Sequence, residues 1–421
     1  MSKTRPQQDL NKKPAGISAL VFVLLGFLVS YLLFFICPVF LNSTHLMQHY
    51  AVVPRETPIG IDLQSALDHC KEVFITKTNP YTGSSLFPPL TYIIFGPFLA
   101  VDLSTAYLII TIISLICYIF ITFLFPLWTN RQKPLSPLLI LFFVSGLFSY
   151  GFQFEIERGQ FNVISMFLSL SAVLIYHNYH RFRYLAYGLF SIAVQFKIYP
   201  AIFIFMFVRD WRDWKNNIKR FLGLGAFNFA LLFILGPGVF VNFVKRVMAH
   251  MADPFIWIGN HSIRSFATVA STRFSWWAKE DLGLVQCLLA AFVAVCIFLI
   301  IVQAYRQNKN GINPYLLLGC TIAAMVIPSE SHDYKLSILT APVALAFHND
   351  YFAKIADYRS RRLVFLLIFV FSFAYSSTLY TYNVRYQMLL FMVNNLPALM
   401  ILLFITTVFS LMNKPGKETY S

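Results

Sequence analysis

The stretch 135-LSPLLILFFVSGLFSYGFQFEIERGQFNVISMFLSLSAVLIY-176 decides how this chain is read. Two apolar segments, 135–155 and 163–176, flank the polar word Glu157-Arg158-Gly159-Gln160-Phe161-Asn162. Four of its side chains need charge or hydrogen-bond partners where everything around them suits lipid. A charge at the centre of a bilayer helix costs roughly 2.5–3.5 kcal/mol on insertion scales, so the word belongs at an interface or in a polar cavity. In both cases it marks a place where something polar is handled.

The rest of the composition agrees that the solvent is mostly lipid. Of 421 residues, 58% are hydrophobic and 12% charged, and Phe occurs 45 times. Apolar runs occur at about 17–41, 86–101, 104–128, 135–155, 163–176, 184–208, 221–240, 284–305, 313–328, 336–348, 363–378 and 396–412. Several are too short to span alone. The expectation is an all-α polytopic integral membrane protein. It would have a cytoplasmic tail at 1–16, one membrane domain of about 11–13 helices at 17–412, external loops at about 42–85 and 241–283, and a cytoplasmic tail at 413–421. The first run is longer than the apolar region of a signal peptide and lacks a small-residue cleavage pattern, so it reads as a helix.

The net charge of +15 does not point to nucleic acid, because the basic residues lie in short loops between apolar segments. Lys3, Arg5, Lys12 and Lys13 precede the first run. Arg209, Arg212, Lys215, Lys219 and Arg220 form one group, Lys354, Arg359, Arg361 and Arg362 another, and Lys414 and Lys417 follow the last run. The positive-inside rule places all of them in the cytoplasm. Arg131, Lys133, Arg181 and Arg183 join them if 86–128 makes one net crossing with a re-entrant or interfacial first part, and if 184–208 is a tight hairpin. Lys197 then sits at the outer tip of that hairpin, just before Pro200. On this topology 42–85, 157–162, Lys197, 241–283 and 329–335 share the external side.

Three external pieces carry further polar residues. Asp62 and Asp68 stand six apart in a segment of helical pattern suited to the membrane surface, followed by Asn79-Pro80-Tyr81-Thr82-Gly83 and Phe87-Pro88-Pro89-Leu90. Gly259-Asn260-His261-Ser262-Ile263-Arg264-Ser265 precedes Arg273 and the pair Trp276-Trp277, which suit an interfacial belt. Pro328-Ser329-Glu330-Ser331-His332-Asp333-Tyr334-Lys335 packs ionisable groups between short apolar runs. Taken alone, Asp62 reads as a solvated loop carboxylate and His332 equally as a structural histidine. The sequence has no CxxC pair, HExxH, P-loop or GxGxxG, and no disulfide framework or repeat is legible.

The order of these words resembles glycosyltransferase family 87, integral-membrane enzymes of the GT-C superfamily that use polyprenyl-phosphate sugars. The resemblance rests on Asp62, Asn79 to Tyr81, Pro88 and Pro89, Gly159, Gln160 and Asn162, Lys197 with Tyr199 and Pro200, Asn260 with Ser262, and His332, and covers roughly residues 55–340. His261 stands where the family often has Gln, and Asp62-Leu63 is followed by Gln64 where an aromatic is common. The resemblance implies a GT-C-like helical bundle whose external loops carry short surface helices. It also implies transfer of mannose or a similar sugar from a polyprenyl-phosphate donor to a glycan or glycolipid acceptor outside the membrane, with inversion.

Such a reaction needs one carboxylate to take a proton from the acceptor hydroxyl and cations to hold the phosphate. Asp62 is the candidate base, with Asp68 and Glu157 next in line. Lys197, Arg158, Arg264 and His332 are candidates for the phosphate, and Gln160 and Asn162 for sugar hydroxyls. Asn79, Tyr81, Tyr199, Asn260, Ser262 and Lys335 complete the expected substrate-binding set. No metal or other cofactor is called for, although a divalent ion on Asp62 and Glu157 stays open. The partners are the donor, the acceptor and membrane lipid. A lipid-linked-sugar transporter or flippase, which would show inverted repeats, and a glycan polymerase or ligase are the competing readings.

Overall fold

The computed structural model describes residues 59–83, 85–130, 134–147, 149–253, 256, 259–308, 311–348 and 394–412, and positions 21, 24, 25 and 28. Both expected tails, most of the first apolar run, the basic group at 354–362 and the run 363–378 lie outside these residues. The described chain is helical, and its one β feature is an isolated antiparallel bridge between Asn260 and His332.

The helices in chain order are α1 (Ile61–Phe74), α2 (Pro89–Phe95), α3 (Leu103–Thr129), α4 (Pro137–Leu147), α5 (Tyr150–Arg158), α6 (Asn162–Asn178) and α7 (Arg183–Phe196). They continue as α8 (Trp214–Leu231), α9 (Pro237–Ala252), α10 (Ile263–Phe274), α11 (Leu282–Gln307), α12 (Pro314–Val326), α13 (Thr340–His348) and α14 (Leu396–Met412). Local chemistry sets many of these starts. Asp102 caps α3 through the N–H groups of Ser104 and Thr105, and Ser149, Asp213, Ser262 and Asn313 do the same for α5, α8, α10 and α12.

Among the described residues two spans are long and apolar enough to cross a membrane unaided, Leu103–Thr129 and Lys279–Gln307, and α4 with α5 makes a third if the bend of 44° between them is one broken span. At about 1.5 Å per residue α3 is about 40 Å long. It begins with Tyr107 against Gly60 and Gly159 and ends with the Trp128 ring 6.3 Å from Tyr179. Those contacts define two ends of the bundle. From Phe87 to Ala100 the chain stays at the first end: Phe87 and Phe95 lie 5.3 and 5.0 Å from Phe161, and Thr91 donates to the Gln195 carbonyl at 2.5 Å. The segment 86–128 thus stays at the first end until α3 carries it to the second.

The chain also reverses at Lys197. That residue is extended, and the 3-10 segment Tyr199–Met206 runs back until the Met206 carbonyl meets His177 at 2.8 Å and the Arg209 guanidinium donates to the Tyr176 carbonyl. Pro200, which has no N–H to give to a continuing helix, stands at the reversal. Lys197 is therefore at the end where α6 begins, and Arg209 is at the end where α6 stops. Trp211 bonded to Asn308 places the turn after α11 at that second end as well.

The core lies around α12, whose residues Tyr315 to Val326 are all buried, as expected of a helix apolar on every side. It packs on Tyr199–Met206, α11 and α14. By contrast α11 turns Leu284, Leu288, Val295 and Phe298 outward, the composition of a lipid-facing surface. The fold is that of a helical membrane protein with its polar loops gathered at one end.

Candidate active site

Two glycines bring the site together. Gly159 ends α5 in the left-handed region (φ 66°), and Gly60 precedes α1 at φ 80°, conformations that side chains rarely adopt. They lie against each other: a Cβ on Gly159 would meet the Leu63 Cβ at 2.9 Å and the Gly60 Cα at 3.4 Å, and the Gly60 N–H donates to the Glu157 carbonyl at 2.7 Å. The first turn of α1 is thereby pressed onto the end of α5. Its helix is not spread on a membrane surface, because Leu63, Leu67 and Cys70 are buried against α2 and the segment after it.

The consequence is a fork on Asp62. Arg158 donates from Nη2 to Oδ1 at 2.7 Å and from Nε to Oδ2 at 3.0 Å, and Gln160 Nε2 donates to Oδ2 at 2.5 Å. This planar two-point contact fixes the carboxylate plane as a single cation would not. Gln160 in turn accepts from Lys197 Nζ at 2.8 Å through Oε1, which orients its amide. Lys197 lies over the Phe161 and Phe87 rings, 4.5 and 5.1 Å from their centroids.

A second group of charges faces the first. Lys335 Nζ donates to the Glu330 carbonyl and stands 6.0 Å from the Tyr199 ring centre. Glu330 reaches His250 of α9 at 2.9 Å and His332 at 3.8 Å, and the His332 ring lies 5.5 Å from Tyr334. Burial pushes Lys197 down to about 8 against the pull of Asp62, Glu155 and Glu330. It pushes Lys335 down to about 7, helped by the charge on Lys197 and opposed by Glu330. Each ammonium has three N–H groups, and the described contacts occupy one of them in each case.

Exposure separates residues able to meet a ligand from those that brace the site. Asp62, Arg158, Lys197, Glu330, His332, Tyr334 and Lys335 are half-buried and form one cluster. Asn162 and Tyr199 are buried beneath it, joined by the Tyr199 hydroxyl donating to the Asn162 carbonyl at 2.9 Å, while the Asn162 amide is buried without a hydrogen-bond partner. Glu157 supplies its carbonyl to Gly60, and its carboxylate acts on the Tyr107 hydroxyl instead of Asp62.

Other expected substrate contacts fall elsewhere. Asp68 is exposed and paired with Lys71 at 2.9 Å, on a different face of α1 from Asp62. Asn79 caps the turn at Pro80, and Tyr81 is buried with its hydroxyl on the Phe87 carbonyl at 2.7 Å. Arg264 donates to the carbonyls of Met251 and Ala252 at the C-terminal end of α9. Asn260 and Ser262 are fully buried and lace two loops together. Asn260 Oδ1 accepts from Ser331 N at 2.8 Å and Ser262 N at 3.1 Å, and both side chains donate to the Ser329 carbonyl. Beside them His261 accepts the Asn395 N–H on Nδ1 (3.1 Å), so its hydrogen is on Nε2, which meets Asp333 at 2.7 Å. The Asn260–Ser262 word thus holds the loop that carries His332 and Lys335.

Sequence reading missed Glu155, His250 and the carboxylate of Glu330. Glu155 closes an apolar run, and a lone acid in that place was the available signal. As for metals, the described residues contain no group of three or more His, Cys, Asp or Glu able to hold an ion, and no step is derived through one.

The fold and the site together define a helical membrane protein that collects an oriented carboxylate and several cations at one end of its bundle. The sequence model of glycosyltransferase family 87 matches residues 86–328, more than half of the chain, and the protein belongs to that family. Asp62, His332 and Lys335 lie outside the matched segment. The chain is also similar to a protein of Saccharomyces cerevisiae, dolichyl pyrophosphate Man9GlcNAc2 alpha-1,3-glucosyltransferase, with 24% identity over 238 residues, 53% of this chain and 43% of the yeast protein. It therefore matches less than half the length of that relative.

Proposed function

We propose that this protein is a membrane glycosyltransferase that moves a hexose from a polyprenyl-phosphate donor to a hydroxyl of a glycan or glycolipid acceptor on the external face of the membrane. The observation that carries the reading is the arrangement around Asp62: a carboxylate held in one plane by Arg158 and Gln160, with two half-buried lysines in the same cluster. The yeast relative's name supports hexose transfer and a lipid-linked glycan, and the family supports glycosyl transfer.

In this reading the donor phosphate sits against Lys197 and Lys335, with Arg158 and His332 at its edge. The acceptor hydroxyl approaches the anomeric carbon from the Asp62 side. As the new C–O bond forms, the bond from the anomeric carbon to the phosphate oxygen breaks, and the hydroxyl proton passes to a free lone pair of Asp62. One displacement inverts the anomeric centre. The lysines neutralise the charge that grows on the leaving phosphate, in a partly dry site where such contacts are strong. Gln160 and the buried amide of Asn162 brace the sugar side.

The test is transfer by purified protein across a panel of polyprenyl-phosphate hexoses. Asp62→Asn keeps the volume and the Arg158 contact at Oδ1, so it should fold and lose about 10²–10⁴ in rate, the usual share of a general base. Undiminished transfer by this variant would remove Asp62 from the mechanism.

A further inference from the structure

Glu155 is a charged side chain that the proposed reaction leaves unused, and it is fully buried beneath the cluster. Its Oε1 accepts the Val163 N–H at 2.7 Å in the first turn of α6, where the positive end of the helix favours an anion. Its Oε2 accepts the Ser337 hydroxyl from the 3-10 segment Asp333–Leu339. One carboxylate therefore ties together α5, which leads to Arg158 and Gln160, the start of α6, and the segment that carries Lys335. The start of α6 passes the tie onward, because the Asn162 carbonyl holds Tyr199, whose ring stands beside Lys335.

We propose that Glu155 is a positioning residue of the donor site, a buried carboxyl group that fixes the segments bearing Gln160, Lys197 and Lys335 and, where ionised, supports the charge of Lys197. The groups around it agree with this role. Facing Glu155 are Ser337 and Tyr334 from the 3-10 segment, Cys117 from α3, Tyr199, the N–H groups of Asn162 and Val163, and the Lys197 cation. Facing Lys197 are Asp62, Glu155 and Glu330 as anions, Lys335 as a cation, and Gln160 as a neutral acceptor. Removing the charge of Glu155 leaves Lys197 with two of its three supporting anions. It then gives up its proton at lower pH.

The inference rests on the phosphate site proposed above, and one experiment separates the two. Full-length protein in detergent is titrated with farnesyl phosphate, a short isoprenoid phosphate without a sugar, from pH 6 to pH 9.5. Wild type should bind at low pH and lose affinity along an alkaline limb. Glu155→Gln, with its melting transition checked, should move that limb down by about half a unit or more, as loss of a nearby opposite charge does. Ser337→Ala cuts the link to the Lys335 segment and leaves the anion in place. It should leave the limb where it is and weaken binding about threefold to tenfold, the usual net worth of one hydrogen bond. A folded Glu155→Gln protein whose limb coincides with wild type overturns the proposal, as does unchanged affinity in Ser337→Ala if Glu155→Gln does not fold. A wild type that binds with no alkaline limb overturns the phosphate reading of the lysines themselves.

Discussion

Asp62 and Arg158 are 96 positions apart in the chain and meet through two hydrogen bonds in one plane. That geometry needs a guanidinium. Arg158→Lys keeps the charge and loses the fork, so the carboxylate is free to rotate away from the acceptor. It should cut kcat by at least about tenfold while donor KM changes little, since aligning reacting atoms contributes to rate more than to binding. Initial-rate kinetics over both substrates checks this. The lysines give a second outcome at the same scale. Both have pKa values lowered by burial, Lys335 to about 7 and Lys197 to about 8, and phosphate binds the protonated forms. Donor affinity should therefore be full well below pH 7 and fall as the pH rises through 7 and then 8. A donor KM that stays flat from pH 6 to 9 would contradict it.

Among the elements, the junction of α1 with α5 is the one on which the site depends. Gly159 sits at φ 66° with Leu63 2.9 Å from where a Cβ would be, so Gly159→Ala meets both backbone strain and a collision with the helix that carries Asp62. A non-glycine residue forced into this region costs about 1–2 kcal/mol before the collision is counted. The expected result is a lower melting temperature together with lost transfer, because α1 must slide to relieve the contact. By comparison Gly225→Ala, on α8 with open space around it, should leave both unchanged. The loops of α10 and α12 teach a related lesson. Asn260 and Ser262 resemble ligand-binding residues in the sequence, as amides and hydroxyls in an external loop do. In the fold their polar atoms are taken up by Ser329, Ser331 and the residues that follow Asn260. They hold the His332 and Lys335 loop in register, which a sequence shows only as polarity.

For the whole molecule, the described residues around Asp62, Arg158, Gln160, Lys197 and Lys335 lie at one end of the bundle, and those around Arg209 and Trp211 lie at the other. If the site end is external, a cysteine at the exposed position Lys71 should react with an impermeant maleimide on intact cells, and one at Lys215 only after permeabilisation, in a chain whose exposed Cys287 is replaced. The opposite pattern would turn the protein over and put the transfer site inside. What the sequence determined by itself was the solvent, the helical class and the reversal at Lys197. Apolar length, prolines and the placement of basic residues are local properties that act through the bilayer whatever the tertiary contacts. Only the tertiary structure decided which polar residues form one site. It joined Asp62 to Arg158 through two glycines, turned Asp68 and Arg264 to other partners, and added Glu330, His250 and the buried Glu155. Those assignments depend on which face each helix turns inward and on which carbonyls and amides each loop leaves unpaired, and packing fixes both across stretches of chain that no local pattern connects.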